Sequence, residues 1–239
     1  MPRGNQAPGF RVPSEPKRDW HAHPMQGDFI LAADFGTTGV KVALVDRKLS
    51  IRHSSSASYP LMIGGGGVAE QHPADWWTAF RQAVADLAVQ AGPLTGRVAV
   101  ISFCAQTCGV VCADADGVPL RPALIWMDKR AAPEARRFTG GFPTVYGYNA
   151  FKGLAWGLLA NGAPSRNGMD PVCKMIWVRD HEPEIWRRTR LLLDVKDWLV
   201  LHATGNATTT GDSANLTWMM DTRRGREGWS PTLARMAGV

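Results

Sequence analysis

The sequence of 239 residues has no long apolar run. Stretches such as residues 29–33 are far too short to cross a bilayer, which excludes an integral membrane helix. Residues 1–27 hold five prolines and scattered charge and no apolar stretch, so a secretory leader is not expected there. Cysteine is scarce, at four residues, too few for a disulfide framework in a chain this long. The thiols are therefore expected to be free and the compartment reducing, that is, cytoplasmic. Acidic residues fall short of basic ones, 21 against 27, for a net charge of +6. Of this excess, +2 lies in residues 1–27 and +3 in residues 222–239, so the body carries only +1. A basic stripe for nucleic acid is thus not expected; the basic ends leave it only as an alternative. What the chain has in quantity is apolar material, at 45%, with 10 Trp, 25 Gly and 16 Pro. That is the profile of a globular protein with ample core, of one large or two small domains.

Residues 1–27 have no period of 2 or 3.6 and read as a disordered tail. Met25 stands just ahead of the first ordered pattern and is a candidate start of translation. Residues 29–33 read as a buried strand, residues 34–39 as a polar turn, and residues 40–46 as an alternating strand with Val40, Val42 and Leu44 on one face. Residues 51–59 read as a third extended segment. Pro73 opens a helix with Trp76, Phe80, Ala83, Val84 and Leu87 at helical spacing, ended by Gly92-Pro93. Residues 98–103 then read as a second buried strand, with Cys104 continuing the buried pattern, and residues 109–113 as extended. Helices are expected from Pro171, from Pro183 and over residues 196–202, with a strand over 191–195. The Gly- and Asn-rich insertion 147–168 shows no pattern that assigns it. Strands alternating with helices make an α/β architecture, with no internal repeat.

The segment Asp34-Phe35-Gly36-Thr37-Thr38-Gly39 carries the most chemistry. A carboxylate at a strand end, followed by a Gly-Thr-Thr-Gly turn, offers an oxygen ligand for Mg²⁺ and N–H and hydroxyl donors for phosphate. It is not a P-loop, which ends in Gly-Lys-Ser/Thr and opens a helix; here Lys41 lies in an alternating strand. The alternative is a hairpin turn that uses Gly for positive φ. Cys104, Cys108 and Cys112 recur every four residues, but paired knuckles are missing, and buried thiols are the expected state. Trp126 and Trp198 can line a cleft or pack in the core.

Taken in order, these residues resemble the FGGY carbohydrate kinases, and the xylulokinase-like members in particular. Those proteins open with a strand, Asp-x-Gly-Thr-Thr/Ser and a second strand. Further matches are Glu70-Gln71-His72-Pro73 with Asp75-Trp76-Trp77, Gln106-Thr107-Cys108-Gly109, and Leu120-Arg121-Pro122-Ala123 with Trp126-Met127-Asp128-Lys129-Arg130. Lys174-Met175-Ile176-Trp177 with His181-Glu182-Pro183-Glu184, Lys196-Asp197-Trp198-Leu199 and Asp212-Ser213-Ala214-Asn215 complete the series.

The resemblance covers only the amino-terminal half of the family pattern. It implies an actin-like ATPase (ribonuclease H-like) lobe over residues 28–239, a mixed sheet flanked by helices, with the carboxy-terminal ATP-binding lobe absent. ATP and Mg²⁺ are implied as cofactors and a ketopentose or related sugar or polyol as substrate. Asp34 would hold the metal; Gly36, Thr37, Thr38 and Lys41 would face the phosphates; Gln106, Thr107, Cys108, Asp128 and Arg130 would face the sugar. The general base, an Asp in a Gly-Gly-x-Asp segment, is expected beyond residue 239. No catalytic residue is therefore assigned within the chain, which is expected to be inactive alone; a homodimer of the full-length enzyme is allowed. Where xylulokinases have Met-His, this chain has Thr107-Cys108, which points to a sugar other than xylulose. A degenerate, non-catalytic sugar- or protein-binding domain is the alternative.

Overall fold

In this computed structural model, residues 27–239 are described. The tail read over residues 1–27 and the candidate start at Met25 lie, Gly27 apart, outside the described residues. The main sheet has four strands: β1 (Phe29–Phe35), β2 (Gly39–Asp46), β3 (Ile51–Ser58) and β6 (Val98–Ala105), in the order β3-β2-β1-β6. β1 pairs antiparallel with β2 and β2 with β3, whereas β6 lies parallel to β1, so the sheet is mixed. Alternation decides which face is covered: Leu31, Ala33 and Phe35 of β1 and Val40, Val42 and Leu44 of β2 are buried.

Helix α1 (Pro73–Ala91) covers that face. It opens with Pro at its first position, where the missing N–H costs nothing, and buries Trp76, Ala79, Phe80, Ala83 and Leu87. Each large side chain removed from water contributes about 1.5–3 kcal/mol. Before α1 come β4 (Met62–Ile63) and β5 (Ala69–Gln71), which form a small sheet with β8 (Ala123–Leu124), β5 in the middle.

β7 (Val111–Ala113) pairs antiparallel with β11 (Leu191–Leu193). Helices α2 (Ala132–Thr139), α3 (Ala150–Leu159), α4 (Pro171–His181) and α5 (Pro183–Arg188) form the second part of the lobe. Among them lies the hairpin of β9 (Thr144–Val145) and β10 (Tyr148–Asn149). α6 (Val195–Thr204), α7 (Gly211–Leu216), the hairpin of β12 (Met220–Asp221) and β13 (Gly228–Trp229), and α8 (Pro231–Ala237) complete it. Two core clusters result. One joins the main sheet to α1 and α6, with Trp76 and Trp198 edge-on at 6.0 Å. The other gathers α2, α3, α4 and α8 around Trp156, Val172 and Val178.

Several sequence expectations change here. The strand expected over 98–103 forms as β6, but it is not buried: Val100 is 41% and Ile101 45% exposed, and Cys104 is exposed as well. An apolar run carries no information about its neighbours, and β6 ends the sheet among the described residues. The extended reading of 109–113 holds, as a bridge at Val110 and the strand β7, but the segment does not continue β6: Cys108 takes a left-handed backbone at φ 60° and the chain leaves the main sheet to pair with β11. The strand expected over 191–195 stops at Leu193, because the Asp194 side chain accepts a hydrogen bond from Val195 N and starts α6 there. Within the unassigned insertion, Asn149 caps α3 by accepting from Phe151 N and Lys152 N. Trp198 is core, at 2% exposed.

Candidate active site

The site is built at the carboxyl ends of two parallel strands. The register sets Asp34 of β1 opposite Cys104 of β6 and Phe35 opposite Ala105, and Gln106 N extends the ladder to Phe35 O at 2.8 Å. The turn 36–38 and the segment 106–108 therefore leave the sheet side by side. Asp34 is exposed, and makes no ion pair among the described residues; Lys41 of β2 stands opposite it in register and is exposed too.

The turn is held by its carbonyls. Gly36 O accepts from the Tyr59 hydroxyl, Thr37 O from Gln71 Nε2 at 2.7 Å, Thr38 O from Tyr59 N at 3.2 Å, and Gly39 O from Gly36 N at 3.0 Å. Thr37 N and Thr38 N have no acceptor among the described residues. In a trans peptide the C=O and the following N–H point opposite ways, so tying carbonyls inward turns amides outward. The result is a small cluster of N–H donors fit for an anion. The turn does connect the antiparallel pair β1 and β2 as a hairpin, but neither Gly36 nor Gly39 has positive φ, so it does not use glycine for that purpose. Gly39 is needed for closeness instead: a Cβ there would lie 2.6 Å from Ala57 O. Tyr59 is buried, and burial together with the Asp34 charge pushes its phenol well above the ordinary range.

On the sugar-facing side of the expected site, Gln106 Nε2 donates to Gln71 Oε1 at 2.7 Å, while Gln106 Oε1 is buried without a partner among the described residues. Thr107 is exposed and Cys108 half-buried. Burial raises the Cys108 thiol above its ordinary pKa, so it acts as a neutral group. Trp126, 39% exposed, donates from Nε1 to Thr37 Oγ1 at 3.0 Å and so borders the turn 36–38.

Asp128 and Arg130 sit differently from the other site residues. Asp128 is fully buried; its Oδ2 accepts from Ala69 N at 2.8 Å and from Arg130 Nη2 at 2.7 Å, and its Oδ1 from Arg130 N at 3.1 Å. Arg130 also pairs with Glu70 at 2.7 Å and lies over the Trp177 ring, 4.8 Å from its centre. Burial works against the Arg130 charge, but Asp128 and Glu70 outweigh it and hold its pKa above the ordinary value. Arg121 joins the network through Glu70 and through Glu182 at 2.7 Å. The network docks the segment carrying Trp126 onto β5.

Three structural residues escaped the assignment from sequence. Gln71 and Lys174 stood inside quoted motifs without a role, and Tyr59 merely ended an extended segment. Lys174 is fully buried, with Nζ donating to Cys108 O at 2.7 Å and Ile125 O at 2.8 Å, so it ties the two segments that flank the site. Residues 171–176 of α4 are buried without exception, so the lysine has no solvent to reach and the sequence alone did not mark it. Asp194 accepts from Gly109 N at 3.0 Å and fixes the end of the 106–109 segment.

The donor set at Asp34 fits Mg²⁺, a hard cation that takes one or two carboxylates, waters and phosphate oxygens. Among the described residues there is no group of three or more His, Cys, Asp or Glu placed to hold a metal ion by themselves, and none of the helices is long and apolar enough to cross a membrane. The four cysteines are free.

The chain is similar to known sugar kinases in sequence and in fold. Xylulose kinase of Streptomyces coelicolor is 32% identical over 194 residues, covering 81% of this chain and 37% of that protein. Xylulose kinase of Bacillus subtilis is 29% identical over 215 residues, covering 88% and 40%. The chain thus spans about two-fifths of the length of these relatives. Among solved structures, a xyloylose kinase from Brucella ovis superimposes with a TM-score of 0.75 at 26% identity, covering 88% of this chain and 40% of that one. Plasmodium falciparum glycerol kinase with ADP gives 0.73 at 20% identity, covering 88% and 40%, a likeness of fold. The fold is the α/β, actin-like ATPase lobe with a mixed sheet and flanking helices. The model of the FGGY family of carbohydrate kinases, N-terminal domain, matches residues 29–239. Strand ends, turn and family match coincide: this chain belongs to the FGGY family of carbohydrate kinases and carries its N-terminal domain.

Proposed function

We propose that the chain is the sugar-binding lobe of an ATP-dependent kinase that transfers the γ-phosphate to a hydroxyl of a ketopentose or a related sugar or polyol. The observation that carries this reading is the turn 36–38, with its carbonyls tied inward and the amides of Thr37 and Thr38 unpaired, placed beside Asp34 and Gln106. Phosphoryl transfer depends on positioning and on neutralising charge more than on covalent chemistry. Asp34 would hold Mg²⁺, directly or through water, and the ion when bound would neutralise phosphate charge. The amides of the turn and Lys41 would orient the phosphates. Gln106, Thr107 and Cys108 would present the polar wall for the sugar. Asp128, closed off and fully engaged, would act by holding Arg130 and the Trp126 segment rather than by touching the sugar. Cytoplasmic location, a second lobe that closes over ATP, and dimerisation of the full-length enzyme belong to the same reading. Without that second lobe the chain is proposed to bind sugar and not to turn it over, since closure completes such sites.

The test is an amide-resolved titration of the 239-residue chain with D-xylulose, D-ribulose, glycerol and gluconate, followed by Mg²⁺ with pyrophosphate. A ketose is expected to shift Gln106, Thr107 and Cys108, and Mg²⁺-pyrophosphate to shift Thr37 and Thr38, the latter response vanishing in Asp34→Asn. No shift with any sugar would refute the reading; sugar binding without any phosphate response would favour a non-catalytic binding domain. Steady ATP consumption by the chain alone, at a rate ordinary for kinases, would refute the need for a second lobe.

A further inference from the structure

Gln71 ends β5 and is buried, yet its side chain joins the two halves of the site. Nε2 donates to Thr37 O at 2.7 Å and to Pro60 O at 3.4 Å; Oε1 accepts from Trp76 Nε1 at 3.1 Å and from Gln106 Nε2 at 2.7 Å. The two ends of a carboxamide have the same shape, but an indole N–H can only donate. The Gln71 atom facing Trp76 is therefore oxygen, and the atom facing the Thr37 carbonyl is nitrogen. The same logic passes to Gln106: the group meeting Gln71 Oε1 is its NH₂, and its own oxygen is turned away, buried and without a partner among the described residues. On the other side, the bond to Thr37 O sets the peptide between Thr37 and Thr38, and with it the outward direction of the Thr38 N–H.

We propose that Gln71 is a positioning residue that couples the sugar wall to the phosphate turn: locked by Trp76, it sets which end of the Gln106 amide is free and where the Thr38 N–H points. The proposal rests on the reading of Gln106 as a sugar contact and of the turn as a phosphate contact. Its consequence is that sugar binding at Gln106 is felt at Thr38 before any nucleotide arrives. Neither Gln71 nor Trp76 touches substrate in this scheme. Both act through the orientation of another amide.

The experiment is a titration of the ¹⁵N-labelled 239-residue chain with D-xylulose and D-ribulose. It reads the Gln106 side-chain NH₂, the Thr37 and Thr38 amides and the Trp76 indole N–H. In the unaltered chain all four are expected to move with one Kd. Gln71→Met is expected to raise that Kd at least tenfold and to abolish the response at Thr37 and Thr38. Trp76→Phe removes the N–H that locks the amide and trims part of the ring packed against Trp198, so it is read only where the spectrum stays dispersed; it is expected to raise Kd severalfold and to shrink the Thr38 shift. Should Gln71→Met fail to give a dispersed spectrum, Trp76→Phe decides. A folded variant with unchanged Kd and unchanged Thr38 shift overturns the proposal, as does a loss of affinity fully accounted for by the fraction unfolded. A shift at Gln106 that never reaches Thr38 in the unaltered chain overturns the proposal alone; no shift with any sugar overturns the functional reading with it.

Discussion

Lys174→Met gives the most decisive test of the packing around the site. The ammonium, carried by α4, is enclosed and donates to two carbonyls, Cys108 O and Ile125 O. Burial lowers its pKa from 10.5 to about 8, against smaller opposing effects of Cys108, Asp128, Asp170 and Asp194. At about 1.4 kcal/mol per pH unit, that fall corresponds to roughly 3 kcal/mol of cost for holding the charged form inside. Between the two values the unfolded chain binds more protons than the folded one, so this group makes stability rise with pH. Its contribution is complete above 10.5 and is lost as pH falls through about 8. A neutral amine keeps two N–H groups, so neither hydrogen bond breaks on deprotonation. The Met variant has no such titration. At pH 7 it leaves two buried carbonyls without a donor, roughly 1–3 kcal/mol each, offset by release from the cost of the buried charge. It is therefore expected to fold.

The assay is urea unfolding followed by tryptophan fluorescence from pH 7 to pH 10.5. The stability of the unaltered chain minus that of Lys174→Met is expected to rise by about 3 kcal/mol across this range and to be flat below it. Cys112 and Cys173, whose thiols burial pushes up to about 11 and about 12, act in the opposite sense above pH 9. Cys112 does not feel Lys174 and cancels in the difference; Cys108 and Cys173 do feel its charge, so both proteins are compared in a Cys108→Ala, Cys173→Ala background. A difference that stays flat through pH 10.5 would refute the burial of a charged Lys174.

Other substitutions probe the rest of the site. Glu70→Gln removes the carboxylate shared by Arg121 and Arg130 in a network whose side chains are mostly enclosed; a loss of about 3 kcal/mol is expected in the same urea assay, the range for breaking buried pairs. Asp34→Asn removes an exposed, unpaired carboxylate, so stability is expected to stay within about 0.5 kcal/mol while the Mg²⁺-dependent phosphate response is lost; a large drop in thermal midpoint would contradict this. Gly39→Ala drives a Cβ to 2.6 Å from Ala57 O, and the β2–β3 pairing must shift. Its amide hydrogen exchange is expected to speed up in β2 and β3, and unchanged protection there would count against so close an approach.

Much of the fold was legible because burial on one face leaves a period in the sequence. The alternation in β2 and the helical spacing of Trp76, Phe80, Ala83 and Leu87 named their faces directly. Pro73, Pro171 and Pro183 marked helix starts because proline has no N–H to lose there. β6 was legible as a strand but not as an exposed one, since an apolar run is the same whether or not another element covers it. α3 escaped because Gly153 and Gly157 mask its spacing, and its apolar residues Phe151, Leu154 and Leu158 are exposed rather than buried.

The site divides in the same way. Local chemistry alone marks Asp34, Gly36, Thr37 and Thr38, because a carboxylate and a glycine- and threonine-rich turn at a strand end are adjacent in the chain. The ordered motifs added Gln106, Thr107, Cys108, Asp128 and Arg130 as a set. Only the tertiary structure separates that set into open and enclosed members, since Asp128 is closed by Ala69, and its neighbour Arg130 is held over it by Glu70, from a strand 59 residues away that meets it only on folding. The same holds for Gln71, Tyr59 and Lys174. Their partners lie 34, 23 and 66 residues away, at Thr37, Gly36 and Cys108. Hydrogen bonds over such separations leave no period in a sequence. The sequence by itself determined the family, the α/β class and the place of the Gly-Thr-Thr-Gly turn, through residues that are adjacent in the chain. The tertiary structure decided which groups are free to meet a ligand and which merely hold those that are, because burial and pairing belong to the folded chain.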